Sequence, residues 1–570
     1  MAMIGIDLGT TNSLVTAYKN GEILAIPNSL GGELTPSVVS FREDSTIFVG
    51  ESAKESLISH PETTISAFKG LMGTEGTYRV FEREWTAPEL SSLLLKQLKS
   101  DAETYLGEPV EEAIISVPAY FNDNQRSATK LAASMAGLKA NRLINEPSAA
   151  ALYHRHQTQI EESLLLVIDF GGGTLDVSVV ECFDEMVEIL AISGDNHLGG
   201  GDIDRAIVAY FHKETGISKD NLTPSERGSL LRSAEQAKIA LSQSKVTLFG
   251  VGESFISLNN EKLAEICEPF FQRVRATIVQ GVQLSKVSIS DITEVVLVGG
   301  SGKLMVLSDF LEGVFGIRPV ASEQSDRMVA RGLGLCCGMK NKEMKDLFLT
   351  DVCPFSLGIG VHNPRKSDRA LMSVLISRCS VLPTSVTQTF YTVRDGQDTV
   401  NCVICQGEFM YEDENLKLGE ITLKVPPAPA GKSHVKLTFA YTIDGILQVK
   451  AIAFGGDSAE ILIINPNLNL TDEELARKIA ELEKVSSSPN CIGGEVDNLL
   501  FATLERLYTE TTDDFREVVS ALYEQLELSI LRGNLKNHRN TQKEIKNSIE
   551  KLEAAFAPSL WMEEEDEEDL

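Results

Sequence analysis

Positive charge is scarce in this chain of 570 residues: 52 lysines and arginines stand against 82 aspartates and glutamates, a formal net charge of −30 at pH 7. Neither nucleic acid nor an anionic lipid surface gains from meeting so acidic a protein, which argues against a general affinity for either. Nine cysteines contain no zinc-like pair of pairs, and their odd number favours reduced thiols over a disulfide framework. Cys402-Val403-Ile404-Cys405 has C-x-x-C spacing, but in an apparent strand residues i and i+3 face opposite sides, which argues against a redox or metal pair. No apolar run approaches membrane-spanning length, and Met1 leads into a strand-like run without room for a leader segment. The expectation is a soluble, cytoplasmic protein. His154 and His156, two apart on a helical stretch, read as surface residues rather than ligands. The common nucleotide signatures are missing too: Leu297 stands where a Walker loop ending in Gly302-Lys303 needs glycine, and Leu304 where it needs a hydroxyl. No turn reads G-x-G-x-x-G between a strand and a helix.

Two other strings are present. Gly5-Ile6-Asp7-Leu8-Gly9-Thr10-Thr11-Asn12-Ser13 and Asp169-Phe170-Gly171-Gly172-Gly173-Thr174-Leu175-Asp176 each follow an apolar run and give way to a second strand-like stretch. That pattern predicts a hairpin. Glycine lets the backbone approach a polyphosphate and turn its N–H groups inward, while aspartate can hold a hydrated cation beside it. A third glycine turn, Gly299-Gly300-Ser301-Gly302-Lys303, follows the buried-strand pattern Val295 to Val298. Any one of these is as readily a capped tight turn. Their repetition points to a cleft between two halves that takes a magnesium nucleotide.

With 43% apolar residues the chain can build several cores, and its length suggests three or four domains. To about Glu343 strand patterns (Ala113 to Val117, Leu164 to Ile168) alternate with amphipathic helices (Asn124 to Ala136, Ser229 to Ser242), which is α/β texture. Beyond Asp351 short alternating segments predict an antiparallel sandwich: Val386 to Val393, Val400 to Cys405, Gly419 to Val425, Val435 to Tyr441 and Ile446 to Ile452. From Thr471, where Thr471 and Glu474 make a capping box, the chain turns helical, with breaks at Ser486 to Asn490 and Gly493-Gly494. The acidic tail from Glu563 is too charged to bury and is expected to be disordered. Between the α/β and β regions lies an unusually apolar connector, Leu347-Phe348-Leu349. It reads either as an edge strand of the sandwich or, the reading favoured here, as a docking segment that packs differently in two states.

Together with Ile115 to Asn122, Leu143 to Ala151, Gly194 to Gly200, Leu297 to Ser301 and Pro354 to Gly358, the glycine strings resemble those of the DnaK-type seventy-kilodalton heat-shock chaperones. The resemblance covers nearly the whole chain and looks nearest to the HscC subgroup, partly on Thr350 to Gly358. It implies a multidomain architecture: an actin-like two-lobed α/β ATPase (1–343), an apolar linker (344–351), an antiparallel β-sandwich that binds peptide (352–466), an α-helical lid (467–557) and an acidic tail (558–570). It implies ATP and ADP as ligands with Mg2+, and K+ as a further ion. By motif, Asp7 and Asp169 would hold magnesium through water. Gly9, Thr10, Thr11, Gly171, Gly172, Gly173, Thr174, Gly199 and Gly200 would surround the phosphates. Lys69 would orient the attacking water, with Glu146, Asp169, Thr174 and Asp176 completing the catalytic set. Glu235, Lys238, Ser242, Gly299, Gly300, Ser301, Lys303 and Asp326 would bind adenosine. Ile239 and Lys303 depart from the arginines many relatives place there, and Gly201 and Arg331 depart as well.

Pro118, Arg126 and Glu146 would relay nucleotide state to Leu347, Phe348 and Leu349. Ile359, Phe390, Val400 and Cys402 would line the peptide channel, although an ordinary core role suits them too. The segment Gly360 to Met372, with His362, departs from the DnaK pattern. The implied partners are unfolded or extended apolar polypeptides, a J-domain co-chaperone and an exchange factor of unspecified kind, with no nucleic acid and no membrane. The expected function is an ATP-dependent chaperone with ATPase activity. A nucleotide-controlled interaction protein with one dedicated partner is the alternative. A small-molecule kinase on the same actin-like fold is argued against by the β and helical segments that follow the linker.

Overall fold

The computed structural model describes residues 2–158, 162–320, 324–344, 347–363, 369–443, 445–455, 457–463, 472–483, 486–487, 494–511, 513–532 and 534–556. Thr471, the breaks at 488–493 and the tail from 558 lie outside these residues.

Two sheets repeat one plan. In the first, Ala2–Asp7 and Asn12–Lys19 form an antiparallel hairpin, Glu22–Ile26 continues on one side, and Val110–Val117 then Lys139–Asn145 lie parallel on the other. In the second, Glu162–Phe170 and Leu175–Phe183 form the hairpin, Met186–Asp195 continues it, and Glu294–Val298 lies parallel on the far side. The central strands are buried on both faces, which is why Ile4 to Ile6 and Leu165 to Ile168 read as apolar runs. Each hairpin turns at one of the two glycine strings. The helices Glu146–Thr158 and Met328–Lys340 pack together in a core that takes Ile114 and Ile144 from the first sheet and Val167 and Val180 from the second. Gly332 sets their approach, because a Cβ there would stand 1.9 Å from the Ala149 carbonyl oxygen.

Further along, two four-stranded antiparallel sheets share one core. The first holds Leu357–Val361, Leu371–Ile376, Thr399–Gln406 and Leu416–Lys424; the second holds Thr384–Tyr391, His434–Tyr441, Leu447–Ala453 and Ser458–Ile463. The predicted strands here are thus present with shifted ends. Cys402 lies in the shared core and Cys405 is buried outside it, and burial pushes both thiols up, to about 11 and about 12, so neither suits redox or metal chemistry. Helices Asp472–Glu483, Glu495–Glu510, Asp513–Leu531 and Leu535–Phe556 follow, the last three around a core of their own.

The connector forms the strand Phe348–Thr350, parallel to Met186–Asp195 with Leu349 opposite Val187. It is an edge strand, but of the second α/β sheet. Leu349 is buried and Leu347 packs against the same core, while Phe348 remains 55% exposed. Helix Glu495–Glu510 lies against Glu51–Ser59, where the Arg506 guanidinium pairs with Glu55, Glu510 and Glu553, and Arg42 pairs with Glu505 at 3.0 Å. One sequence reading is corrected: His154 is buried and paired with Glu294 at 3.0 Å, because its helix packs that face against the sheet, whereas His156 is exposed.

Replacing Gly332 with alanine therefore forces two helix backbones apart and is expected to destabilise the protein by about 1–3 kcal/mol. Gly313, with nothing within 4 Å of its Cβ position, supplies the control: Gly313→Ala should be neutral or slightly stabilising. Thermal unfolding of the two variants checks the contrast.

Candidate functional site

The two glycine turns touch. A Cβ on Gly172 would stand 1.9 Å from Thr11 Oγ1, and one on Gly173 would stand 3.0 Å from Thr10 Cγ2. Only glycine fits there. A Cβ on Gly199 would stand 2.3 Å from the Gly173 nitrogen, and the Gly200 and Gly201 N–H groups donate to the carbonyls of Gly171 and Gly172 at 2.9 Å. The first N–H groups of helix Gly200–Thr215 are thus spent on fixing the second turn, and the Gly199 N–H donates to Asp202 Oδ2 at 2.8 Å. The third turn joins them. Ser301 Oγ donates to the Gly171 carbonyl at 3.0 Å, and Gly299, at φ 82°, lies so close to Asp169 that a Cβ would meet Oδ1 at 2.7 Å.

Beside the turns is a buried acidic cluster. Asp7 ends the first strand, Asp169 and Asp176 sit opposite each other in the second hairpin, and Glu146 begins its helix. All four are less than 10% exposed. Lys69, itself buried on a short 3-10 turn, donates from Nζ to Glu146 Oε1 at 2.7 Å and lies 5.6 Å from the Phe121 ring centroid. Ser116 Oγ donates to Asp7 Oδ1 at 2.7 Å, and the Tyr120 N–H donates to Asp176 Oδ1 at 3.1 Å. Burial, and next the Glu146 carboxylate, pushes Asp7 and Asp176 up to about 7 each; the same two causes, with Asp176 and Asp7 added, hold Asp169 well above the usual range. One ammonium does not offset this much negative charge.

The residues fit a hydrated hard cation next to a polyphosphate. Asp176 Oδ2 is buried without a partner among the described residues, and the donors are all oxygens. No three acidic, histidine or cysteine side chains among the described residues enclose a metal directly. Cavities of about 280 and 540 Å³ lie elsewhere, beside Arg142 and Lys340 and beside Phe81 and Trp85.

Of the expected adenosine residues, Lys238 is buried and donates to the Gly200 carbonyl at 3.1 Å, while its ion pair is with Asp204 at 2.6 Å rather than with Glu235. Lys303 pairs with Asp326 at 2.8 Å. Glu235 is half-buried on the same helix as Lys238, Ser242 follows that helix, Gly300 is exposed, and Ile239 is 59% exposed. Thr174 closes the second turn by accepting the Gly171 N–H at its carbonyl, and Gly9 packs on the Asn12 carbonyl.

A chain of hydrogen bonds leaves this cluster. Arg126 donates to the Ala119 and Phe121 carbonyls and, at 2.6 Å, to Asn145 Oδ1; Pro118 accepts the Phe121 N–H. Asn145, next to Glu146, donates to Asp351 Oδ2 at 2.9 Å, and Ser148 donates to the same oxygen at 3.1 Å. Asp351 immediately follows the connector strand. The antiparallel sheets meet the α/β part through Gln406, whose Oε1 accepts the Asp123 N–H at 3.0 Å, and Tyr441, whose hydroxyl donates to Asp123 Oδ1 at 3.2 Å. Of the expected channel residues, Ile359 and Cys402 are sealed at 3% and 1% exposure, while Phe390 and Val400 are half-buried against the same core. Sequence reasoning missed Ser116, Asn145, Ser148, Asp204, Asp351 and Gln406; Ser116 lay inside the string Ile115 to Asn122, Asn145 and Ser148 inside Leu143 to Ala151 and Asp351 inside Thr350 to Gly358, while Asp204 and Gln406 carried no signal.

The Hsp70 protein family model matches residues 3–563, nearly the whole chain, without dividing the family into subgroups. The chain belongs to the Hsp70 family, whose members are ATP-dependent chaperones that hydrolyse ATP and bind unfolded polypeptide.

Proposed function

We propose that this chain binds and releases extended apolar segments of unfolded polypeptides under control of ATP hydrolysis and exchange. The observation that carries the reading is the single path from Lys69 and Glu146, through Asn145, to Asp351 at the end of the connector strand. We take 1–343 as a two-lobed ATPase unit, 344–351 as the linker, 352–466 as the peptide-binding sandwich and 467–557 as a lid. Magnesium would supply charge neutralisation of the phosphates when bound, with Asp7 and Asp169 holding its water shell. The glycine turns would offer N–H groups to the phosphate oxygens, and the start of the Gly200 helix braces the second turn. Lys69, fixed by Glu146, orients the attacking water and offsets charge that grows on the terminal phosphate, so the chemistry is positioning and electrostatics. Lys238, Ser301 and Asp326 would take the nucleoside end, a reading supported by Lys238 bonding the Gly200 carbonyl and Ser301 bonding the Gly171 carbonyl. Thr350 to Gly358 supports placement in the HscC subgroup, and a J-domain partner and a cytoplasmic location accompany that reading.

Hydrolysis and binding separate at Lys69. Lys69→Ala should still bind ATP but hydrolyse it at least about 100-fold more slowly in single turnover, with thermal unfolding verifying that the fold survives an unpaired Glu146. A wild-type rate would remove Lys69 from the mechanism.

The raised carboxyls set a pH dependence. Cation binding requires Asp7 and Asp176 to lose protons that they hold below about pH 7, so magnesium-dependent ATP affinity should strengthen from pH 6 to pH 8. Nucleotide titrations at both values, with and without magnesium, test the sign.

Asn145→Ala cuts the link between Arg126 and Asp351. Basal hydrolysis should persist while stimulation by a panel of apolar peptides is lost. Retained stimulation would contradict the proposed path, and stimulation of the parent by no peptide in the panel would favour one dedicated partner.

A further inference from the structure

A second group of oxygens gathers far from the nucleotide cluster, where the helix Glu495–Glu510 reaches the helix Ala87–Leu106. The Glu495 carboxylate accepts from Ser29 Oγ and faces Gln97 and Asp101 across the junction. Gln97 Nε2 donates to Asp101 Oδ1 at 3.1 Å. Asp101 is only 7% exposed, and its Oδ2 is buried with no partner among the described residues. Ser29, by contrast, is exposed, so one side of the group opens to solvent.

Two negative charges thus face each other without a counter-charge. Among the described residues the ionisable group acting on Glu495 is Asp101, and no lysine, arginine or histidine acts on either carboxyl. Burial pushes Asp101 up to about 6, and burial with the facing Asp101 pushes Glu495 up to about 7, although Gln97 hydrogen-bonds both carboxyls and the Ser29 backbone hydrogen-bonds Asp101: neutral donors offset the charge only in part. The available donors are Asp101 Oδ2, the Glu495 carboxylate, Ser29 Oγ and, on turning its amide, Gln97 Oε1. All are hard oxygens, with no thiolate or imidazole to favour a transition metal. Calcium accepts irregular sets of oxygens and completes its shell with water, which suits an open rim better than the strict octahedron of magnesium.

We propose that Asp101, Glu495, Ser29 and Gln97 form a binding site for a hard divalent cation of the Ca2+ type, which clasps the Glu495–Glu510 helix to the Ala87–Leu106 helix. No three acidic, histidine or cysteine side chains converge here among the described residues, so the two carboxylates supply the charge and neutral oxygens complete the set. The ion would act beside the Arg506 cluster that holds the same helix to Glu55.

The test uses the full chain without nucleotide and Ca2+ alone, titrated calorimetrically at pH 7.5 into the parent, Asp101→Asn, Glu495→Gln and, as a control on the nucleotide cluster, Asp7→Asn. The ion should bind the parent and Asp7→Asn and weaken at least tenfold in both Asp101→Asn and Glu495→Gln. Amide hydrogen exchange across 97–106 should slow on adding Ca2+ in the parent and in neither of those two variants. Equal Ca2+ binding in Glu495→Gln and the parent would overturn the proposal. So would the absence of Ca2+ binding by the parent, which would assign the pair a shared proton only.

Discussion

Asp7, Glu146, Asp169 and Asp176 meet inside the protein with Lys69 as their one close ammonium, and this excess of buried negative charge governs the rest of the structure. Burying carboxylates is costly unless protons, cations or hydrogen bonds compensate. Here part of the compensation is internal: Ser116 and the Tyr120 amide each donate one hydrogen bond. The remainder is a standing demand for a cation, set beside turns whose N–H groups demand an anion. On the proposed reading, a magnesium polyphosphate would answer both demands at once, making one site of the glycine turns and the acidic cluster.

The same arrangement ties chemistry to mechanics. The acids come from strand ends in two different sheets, so whatever occupies the site bears on the relation between them. Glu146 begins the helix that packs against Met328–Lys340, and Asn145 before it holds Asp351. Asp351 ends a connector whose strand adds to the second sheet beside Val187. On the proposed reading, a shift of the helix start would act on the connector through Asn145 and Asp351, and Gln406 and Tyr441 hydrogen-bond the antiparallel sheets to Asp123 on the helix that carries Arg126. Packed, hydrogen-bonded elements of this kind switch between discrete arrangements rather than deform continuously.

Local chemistry was legible in the sequence. The two hairpins could be read because glycine, aspartate and threonine sit within a few residues of one another, and the later strands because alternation is itself a local signal. Lys69 could not be read from its surroundings: its partner Glu146 is 77 residues away, and only family resemblance pointed to it. Asp204 opposite Lys238, Asp351 opposite Asn145 and Glu294 opposite His154 escaped for the same reason. The connector showed its apolar character but not its berth, since three residues cannot specify which sheet edge will receive them.

The account depends on nucleotide state reaching that berth, and amide hydrogen exchange at Phe348, Leu349 and Thr350 reads it most directly. With saturating magnesium-ATP these amides should be protected by pairing with Met186–Asp195, and with magnesium-ADP they should exchange at least tenfold faster. Equal exchange in the two states would contradict the coupling of the acidic cluster to the connector.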